Sequence, residues 1–149
     1  MSSDRELQPT DLIGAWNLQS WQMLSGPENT VHYPYGEDAE GLLIYSAAGL
    51  VSATIGRRER APWQGKPGDA DLADAFKSYL HYLARFSLSQ NLVTHAVIMA
   101  SAPQMVGHAH SRSIEVLAPD RLRYTGVDNP GSPAQRTHIF IWQRVPDSH

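Results

Sequence analysis

The sequence predicts an all-β protein, a closed antiparallel barrel of about eight to ten strands with one covering α-helix. Polar and apolar residues alternate along residues 11–23 and along residues 136–145, a pattern typical of strands with two different faces. Trp16 lies early in the first stretch and Arg144 late in the second, so antiparallel pairing would place the indole beside the guanidinium. That contact contributes roughly 0.5–2 kcal/mol. A first strand that pairs with the last closes the sheet and removes its edges.

The other strands are predicted from short β-rich runs that are bounded by glycine, proline and asparagine. The longest connection is the charged stretch 56–68, and loops of that length are usually functional or mobile. In order, the predicted strands cover residues 11–24, 30–33, 41–45, 50–55, 85–88, 92–100, 106–117, 121–127 and 136–145.

One helix is predicted over residues 69–83, because Asp69 or Asp71 can cap it and apolar residues recur at three- and four-residue spacing. In a barrel protein such a helix covers an open end or leans on the outer wall. Its predicted apolar face consists of Leu72, Phe76, Tyr79, Leu80 and Leu83.

The 149 residues are predicted to form one domain, residues 11–149, after a loose polar arm, residues 1–10. A net charge of −3 gives no electrostatic footprint for nucleic acid, and the lack of cysteine excludes disulfides and thiolate nucleophiles. The polar N-terminus is unlike a secretory signal, and no apolar run approaches the ~20 residues that span a bilayer. We therefore expect a cytoplasmic protein without a membrane partner, and the sequence leaves homo-oligomerisation open.

Several stretches of the chain resemble the short lipocalin-like (calycin-type) domain proteins. They are Gly14-Ala15-Trp16 with Arg144 on the last strand, and residues 33–36, 41–45, 49–53, 76–86 and 93–95. The resemblance implies a barrel around a small-molecule cavity. It does not imply one reaction, because this fold hosts carriers, binding proteins and a few cofactor-free enzymes.

The closing strand decides which side chains would reach such a cavity. If Trp142 faces inward with Trp16, then Phe140 and His138 do so too, and the lumen holds aromatic and imidazole groups. The alternative is that these side chains face solvent while Thr137, Ile139 and Ile141 line the core.

Three residues are predicted to be catalytic. His95 is the first, because the resemblance places a Thr-His here and because its neighbours Val93 and Val97 indicate an apolar wall that would lower its pKa. A buried structural histidine is the alternative. Arg112 and Tyr124 lie on adjacent predicted strands and could stabilise a developing oxyanion. Arg112 could equally form an outward ion pair with Glu115 or with an aspartate.

The residues predicted to bind the ligand share an aromatic, imidazole or thioether side chain on a face that could be inward. An aromatic residue at helical spacing is, however, more often part of the core. The predicted ligand-binding residues are Trp16, Tyr45, Tyr79, Met99, His110, His138, Phe140 and Trp142.

No cofactor and no metal site is predicted. His108 and His110 on one strand would suit a metal, and Glu115 follows them, but the rest of a metal motif is missing unless His138 completes the set. Phosphate-binding loops and nucleophile elbows are also missing.

Two functions remain open. The first is a cofactor-free cyclase, isomerase or lyase of secondary metabolism that acts on a hydrophobic, conjugated or polyketide-like metabolite, which the lumen would hold in a reactive conformer. The second is a carrier or binding protein for a small hydrophobic or partly polar ligand. A structural interaction module is a weaker third alternative.

Overall fold

The computed structural model describes residues 6–147, which are mostly β-strands. The strands are β1 Gly14–Ser25, β2 Thr30–His32, β3 Glu40–Tyr45, β4 Leu50–Gly56, β5 Tyr79–Ser89, β6 Leu92–Ala100, β7 Ala109–Ala118, β8 Arg121–Asp128 and β9 Arg136–Arg144. The helices are α1 Pro9–Leu12 and α2 Asp69–Lys77, and a 3-10 turn covers Pro103–Met105.

Within the described residues, eight of these strands form one closed antiparallel barrel. β1 pairs with β3, each strand from β3 to β9 pairs with the next, and β9 returns to pair with β1. β2 pairs only with the end of β1 and is additional to the ring. The predicted closed all-β barrel is confirmed.

The two ends of the chain meet as the sequence predicted. Trp16 pairs with Arg144 across β1 and β9, and the guanidinium lies 4.2 Å from the centre of the indole. Arg144 also donates hydrogen bonds to the carbonyl oxygens of Ile13, at 2.9 Å, and Asp11, at 2.5 Å. Because the Arg144 side chain contacts the Trp16 ring and the carbonyl groups of Asp11 and Ile13, it connects α1 and the residue after it to the closing strand.

Gly14 makes this contact sterically feasible. Its φ of +123° is one that residues with a side chain rarely adopt, and a Cβ there would lie 2.8 Å from Nη1 of Arg144. A glycine is therefore required at the start of β1 by both the backbone conformation and the guanidinium above it.

The apolar core fills the end of the barrel that carries α1. Trp16 is 1% exposed, and its indole nitrogen donates to the carbonyl of Leu12 at 2.9 Å. Leu12, Leu122 and Trp142 are also buried. Side chains therefore fill the lumen at this end of the barrel.

The helix prediction was wrong in its length and burial. α2 ends at Lys77, where Arg60 donates to the carbonyl of Ala75 and to the hydroxyl of Ser78. From Tyr79 onward the chain pairs with β4 and β6, since both strands need a partner for their backbone groups. Two residues of the predicted apolar face, Leu72 and Phe76, are about half exposed.

Leu7 lies in the stretch, residues 1–10, that the sequence predicted as a loose polar arm. Leu7 is buried in the core, and its amide donates to the side-chain oxygen of Asn91 at 2.7 Å. Residues 1–5 of that arm lie outside the described residues.

Within residues 6–147, neither helix has the length and apolar character that crossing a bilayer requires.

Replacing Gly14 by Ala is expected to destabilise the barrel by about 2–4 kcal/mol, since strain at positive φ adds to a clash with Arg144. Gly26→Ala is the matched control, because Gly26 also has positive φ but has open space around it, and we expect a loss of about 1 kcal/mol. Urea unfolding of both variants measures the difference. Equal losses would mean that the contact with Arg144 tolerates the methyl group.

Candidate functional site

A cavity of about 100 Å³ occupies the lumen at the end of the barrel where β5, β7 and β9 begin. This volume is below the roughly 300–1,000 Å³ of most ligand pockets, so the ligand is small or the side chains at the rim move. The apolar wall consists of Trp21, Leu43, Ala53, Ile55, Leu80, Met105, Phe140 and Trp142. The polar wall consists of Tyr82, His95, His110, Arg112, Tyr124 and His138.

His95 lies at the centre of a chain of hydrogen bonds. Its Nδ1 is 2.6 Å from the hydroxyl of Tyr82, and its Nε2 is 2.7 Å from the hydroxyl of Tyr45. The Tyr45 hydroxyl is in turn 2.9 Å from that of Tyr124. The four groups come from β3, β5, β6 and β8, so only the closed barrel brings them together.

Burial keeps every member of this chain uncharged. It lowers the pKa of His95 to about 3, and the nearby side chains of Arg112 and His110 act in the same direction. Burial raises the pKa of Tyr82 to about 12, although Arg112 opposes that shift. It also raises the pKa values of Tyr45 and Tyr124. At neutral pH the chain therefore consists of one neutral imidazole and three phenols.

Arg112 is the cation of the cavity. It lies 5.7 Å from the ring centre of Phe140, and Nη1 donates to the carbonyl of Ser111 at 3.0 Å. Among residues 6–147, no carboxylate forms an ion pair with Arg112. Glu115, the alternative partner, instead lies 2.8 Å from Arg123. The inward guanidinium is therefore available to an oxygen of a ligand.

Gly126 on β8 provides the space for this guanidinium. A Cβ at Gly126 would lie 2.5 Å from Cδ of Arg112 and 2.6 Å from its Nη1. A larger residue at this buried position would displace the arginine side chain.

Two further polar atoms that belong to cavity-lining residues are unsatisfied. Within the described chain, Nε2 of His110 and Nε1 of Trp142 are buried and have no hydrogen-bond partner. An indole N–H can only donate, so Trp142 requires an acceptor. Buried polar groups are normally paired, and a ligand oxygen in the cavity would supply what Trp142 lacks.

His138 differs from His95 because its partners hold it in one tautomer. The indole nitrogen of Trp21 donates to Nδ1 at 3.1 Å, so the proton is on Nε2, which lies 3.0 Å from Oδ2 of Asp128. Burial lowers the pKa of His138, while Asp128 opposes that shift. These contacts hold the imidazole at the cavity rim and leave it no free proton to transfer.

The structure brings together seven of the eleven residues that the sequence singled out. The inward orientation of β9 is correct, and the roles assigned to these residues remain predictions. The seven that line the cavity are His95, His110, Arg112, Tyr124, His138, Phe140 and Trp142.

Four of the proposed site residues do not line the cavity. Trp16 belongs to the closed end, and Tyr45 is 1% exposed and reaches the site only through its hydrogen bonds. Tyr79 lies under Arg60, whose guanidinium is 4.7 Å from its ring. Met99 is 61% exposed. A bulge in β6 lies between Val97 and Met99, which pair with the consecutive residues Ala84 and Leu83 of β5. The bulge interrupts the alternation from which the sequence predicted an inward Met99.

Sequence reasoning missed several contributors to the site, among them Trp21, Met105 and Gly126. Tyr82 was expected to line the pocket or pack its lid, but as part of a helix and not of β5. Met105 lies in the 3-10 turn that borders the cavity. Trp21 reaches the lumen because a bulge in β1 between Leu18 and Ser20 reverses the alternation that starts at Trp16. No residue pattern in a single sequence signals such a bulge. For Gly126 the sequence did offer one signal, because a glycine inside a predicted strand often marks a place where another group lies close to the backbone.

The alternative metal site has no support in the positions of its histidines. His110 faces the cavity, whereas His108 is exposed and precedes β7. Within residues 6–147, no group of three or more histidine, aspartate or glutamate side chains is placed to hold a metal ion.

Comparisons with known proteins concern the fold. A family model described as a lipocalin-like domain matches residues 13–145, whereas no curated protein gives a significant match. A redesigned β-barrel is 10% identical over 93% of this chain and 95% of its own, with a TM-score of 0.45. Bovine odorant-binding protein in complex with a selenium-containing odorant is 10% identical over 97% of this chain and 77% of its own, with a TM-score of 0.49.

The low pKa of His95 predicts that the barrel loses stability in mild acid. In the unfolded chain His95 binds a proton below about pH 6.5, whereas in the folded chain it binds one only below about pH 3. The free energy of unfolding therefore falls as the pH falls through this window. The contribution of His95 is at most about 1.4 kcal/mol per pH unit. His95→Gln should unfold with a flatter dependence on pH than the wild type in urea titrations. Parallel slopes would contradict a neutral, buried His95.

Proposed function

The chain belongs to the lipocalin-like domain family, and from this premise we propose that it binds a small hydrophobic metabolite in its lumen and moves a proton on it without a cofactor. Cyclase, isomerase and lyase reactions, the types expected from the sequence, can each proceed through such a step. The observation that carries the proposal is the hydrogen-bonded pair of His95 and Tyr82 in the cavity wall, with the unpaired cation of Arg112 close by.

The lining of the cavity supports a conjugated ligand with an oxygen substituent. Trp21, Phe140 and Trp142 present aromatic rings, which pack well against a planar apolar body. Arg112 and the indole N–H of Trp142 are donors, which suit a carbonyl or enolate oxygen. A ligand of this kind would satisfy the donors while its remaining surface stays in contact with apolar groups.

The polar wall supports proton transfer as the reaction type. An enolate formed from such a ligand carries negative charge on oxygen, and Arg112 would stabilise that charge inside the lumen. The tyrosine–histidine chain provides groups that can donate and accept protons beside it.

A second candidate, a carrier without turnover, is favoured by one observation. His95 is 3% exposed and both of its ring nitrogens are already hydrogen-bonded, so it does not offer a free nitrogen to the ligand. A carrier needs the same aromatic and cationic lining but no mobile proton.

Benzoylacetone, a conjugated 1,3-diketone, distinguishes these two functions. We expect the protein to bind it, as measured by quenching of the lining tryptophans, and to accelerate its keto–enol conversion, as measured by enol absorbance. His95→Gln should lower that rate at least about 100-fold while the Kd changes little.

His81→Gln is the matched control, since His81 lies on β5, bonds to Thr54 and does not line the cavity. Binding with a rate equal to that in buffer would favour the carrier. Failure to bind at millimolar concentration would contradict the ligand class.

Gly126→Ala is expected to weaken the binding of benzoate about 10- to 100-fold, because the added methyl group displaces Arg112 from its position. Val127→Ala is the control on the same strand, since Val127 is exposed and lies outside the cavity. Isothermal titration calorimetry measures both affinities. Equal affinities would show that Arg112 does not contact the anion.

A further inference from the structure

We propose that Tyr82, His95, Tyr45 and Tyr124 form a proton relay through which the substrate is protonated at one point of the cavity wall while it is deprotonated at another. This inference rests on the proposed function and deepens it. It assigns the substrate to conjugated carbonyl compounds that shift a proton between two of their own atoms.

The relay is continuous, and both of its ends reach the cavity. Successive polar atoms lie 2.6, 2.7 and 2.9 Å apart, which are ordinary hydrogen-bond distances. Tyr82 and Tyr124 line the cavity, whereas Tyr45 between them is buried and does not. A proton can therefore enter at one cavity residue and leave at another without crossing the lumen.

Each link can carry its hydrogen bond in either direction. A neutral imidazole has one donor and one acceptor nitrogen, and each nitrogen of His95 faces a hydroxyl that can play both roles. If Nδ1 holds the proton, it donates to Tyr82, while Tyr124 donates to Tyr45 and Tyr45 to Nε2. If Nε2 holds the proton, all three bonds reverse: Nε2 donates to Tyr45, Tyr45 donates to Tyr124, and Tyr82 donates to Nδ1. The two end hydroxyls consequently present opposite roles to the cavity.

Conversion of one direction into the other balances the protons of an isomerisation. Tyr82 gives its proton to the substrate and receives the proton of His95 Nδ1. Nε2 of His95 receives the proton of Tyr45, and Tyr45 receives that of Tyr124. Tyr124 then takes the proton that the substrate loses. Each residue ends neutral, and the substrate has only changed the position of one hydrogen.

This arrangement explains how so buried a histidine can serve acid–base chemistry. An imidazolium is strongly disfavoured here, because burial, Arg112 and His110 all lower the pKa of His95. A relay that passes the proton onward never stores it as a cation. The raised pKa values of the tyrosines likewise disfavour a lone phenolate, which the relay also avoids.

Arg112 would hold the carbonyl oxygen between the two ends of the relay. Arg112 lines the same cavity as Tyr82, His95 and Tyr124, and its charge acts on the pKa of both Tyr82 and His95. As the proton leaves the substrate, charge accumulates on that oxygen, and the guanidinium stabilises it. The substrate is therefore a compound whose acidic C–H or O–H is conjugated with a carbonyl group.

Nitrogen NMR of protein labelled with ¹⁵N-histidine tests the relay without a substrate. We expect both tautomers of His95 in the wild type. In Tyr124→Phe, Nε2 of His95 is the remaining acceptor for the hydroxyl proton of Tyr45, so the imidazole proton should stay on Nδ1. In Tyr82→Phe, Nδ1 has lost its partner, and the proton should move to Nε2, because an orphaned N–H is the less tolerated state. Tyr79→Phe, on β5 but outside the cavity, should resemble the wild type. One unchanged tautomer in all four proteins would overturn the relay.

The rate of benzoylacetone enolisation separates this inference from the proposed function. Tyr82→Phe and Tyr124→Phe should each lower the rate about 100-fold, and the double variant should be no slower, because a relay fails when either end is lost. A wild-type rate in either single variant would overturn the relay and leave the proposed function intact. No acceleration by the wild type would instead refute the proposed function.

Discussion

Arg144 makes the contact on which the rest of the structure depends. Its guanidinium lies on the indole of Trp16 and donates to two carbonyls before β1, so one side chain joins the last strand, the first strand and α1. Side chains alternate between the two faces of a strand, and a shift of one residue would turn the whole of β9 inside out. Closure in this register places Phe140 and Trp142 in the lumen. The contact between Arg144 and Trp16, at the opposite end of the barrel, therefore helps to set which side chains of β9 face the cavity.

The lumen combines a satisfied polar network with unsatisfied polar groups, and the two have different consequences. The chain from Tyr82 through His95 to Tyr124 satisfies its buried atoms internally, which limits the cost of burying them. Arg112 and Trp142 have donors left over within the described chain. In the function proposed for this site, a ligand gains binding energy from the unsatisfied donors, whereas the satisfied chain would move protons without creating charge.

Much of the fold was predictable because it rests on alternation, turn residues and one complementary pair. The positions of most strands followed from these local patterns, and the inward face of β9 was one of the two alternatives that the patterns left open. The errors occurred where tertiary pairing overrides local preference. Residues 79–83 have helical spacing but pair with β4, and bulges in β1 and β6 bring Trp21 into the lumen and carry Met99 out of it. A bulge changes the inward face by one residue, and nothing in the alternation itself marks its position.

By itself, the sequence determined the barrel class and the meeting of its two ends, and it singled out as candidates most residues of the polar wall, including His95, Arg112 and Tyr124. Only the tertiary structure decided how those groups are connected. Tyr45, Tyr82, His95 and Tyr124 lie on four strands, and their hydroxyls and ring nitrogens come within 2.6–2.9 Å through the curvature and register of the closed sheet. Local periodicity specifies which face a side chain occupies, but a hydrogen bond between distant strands depends on where the whole barrel places each atom.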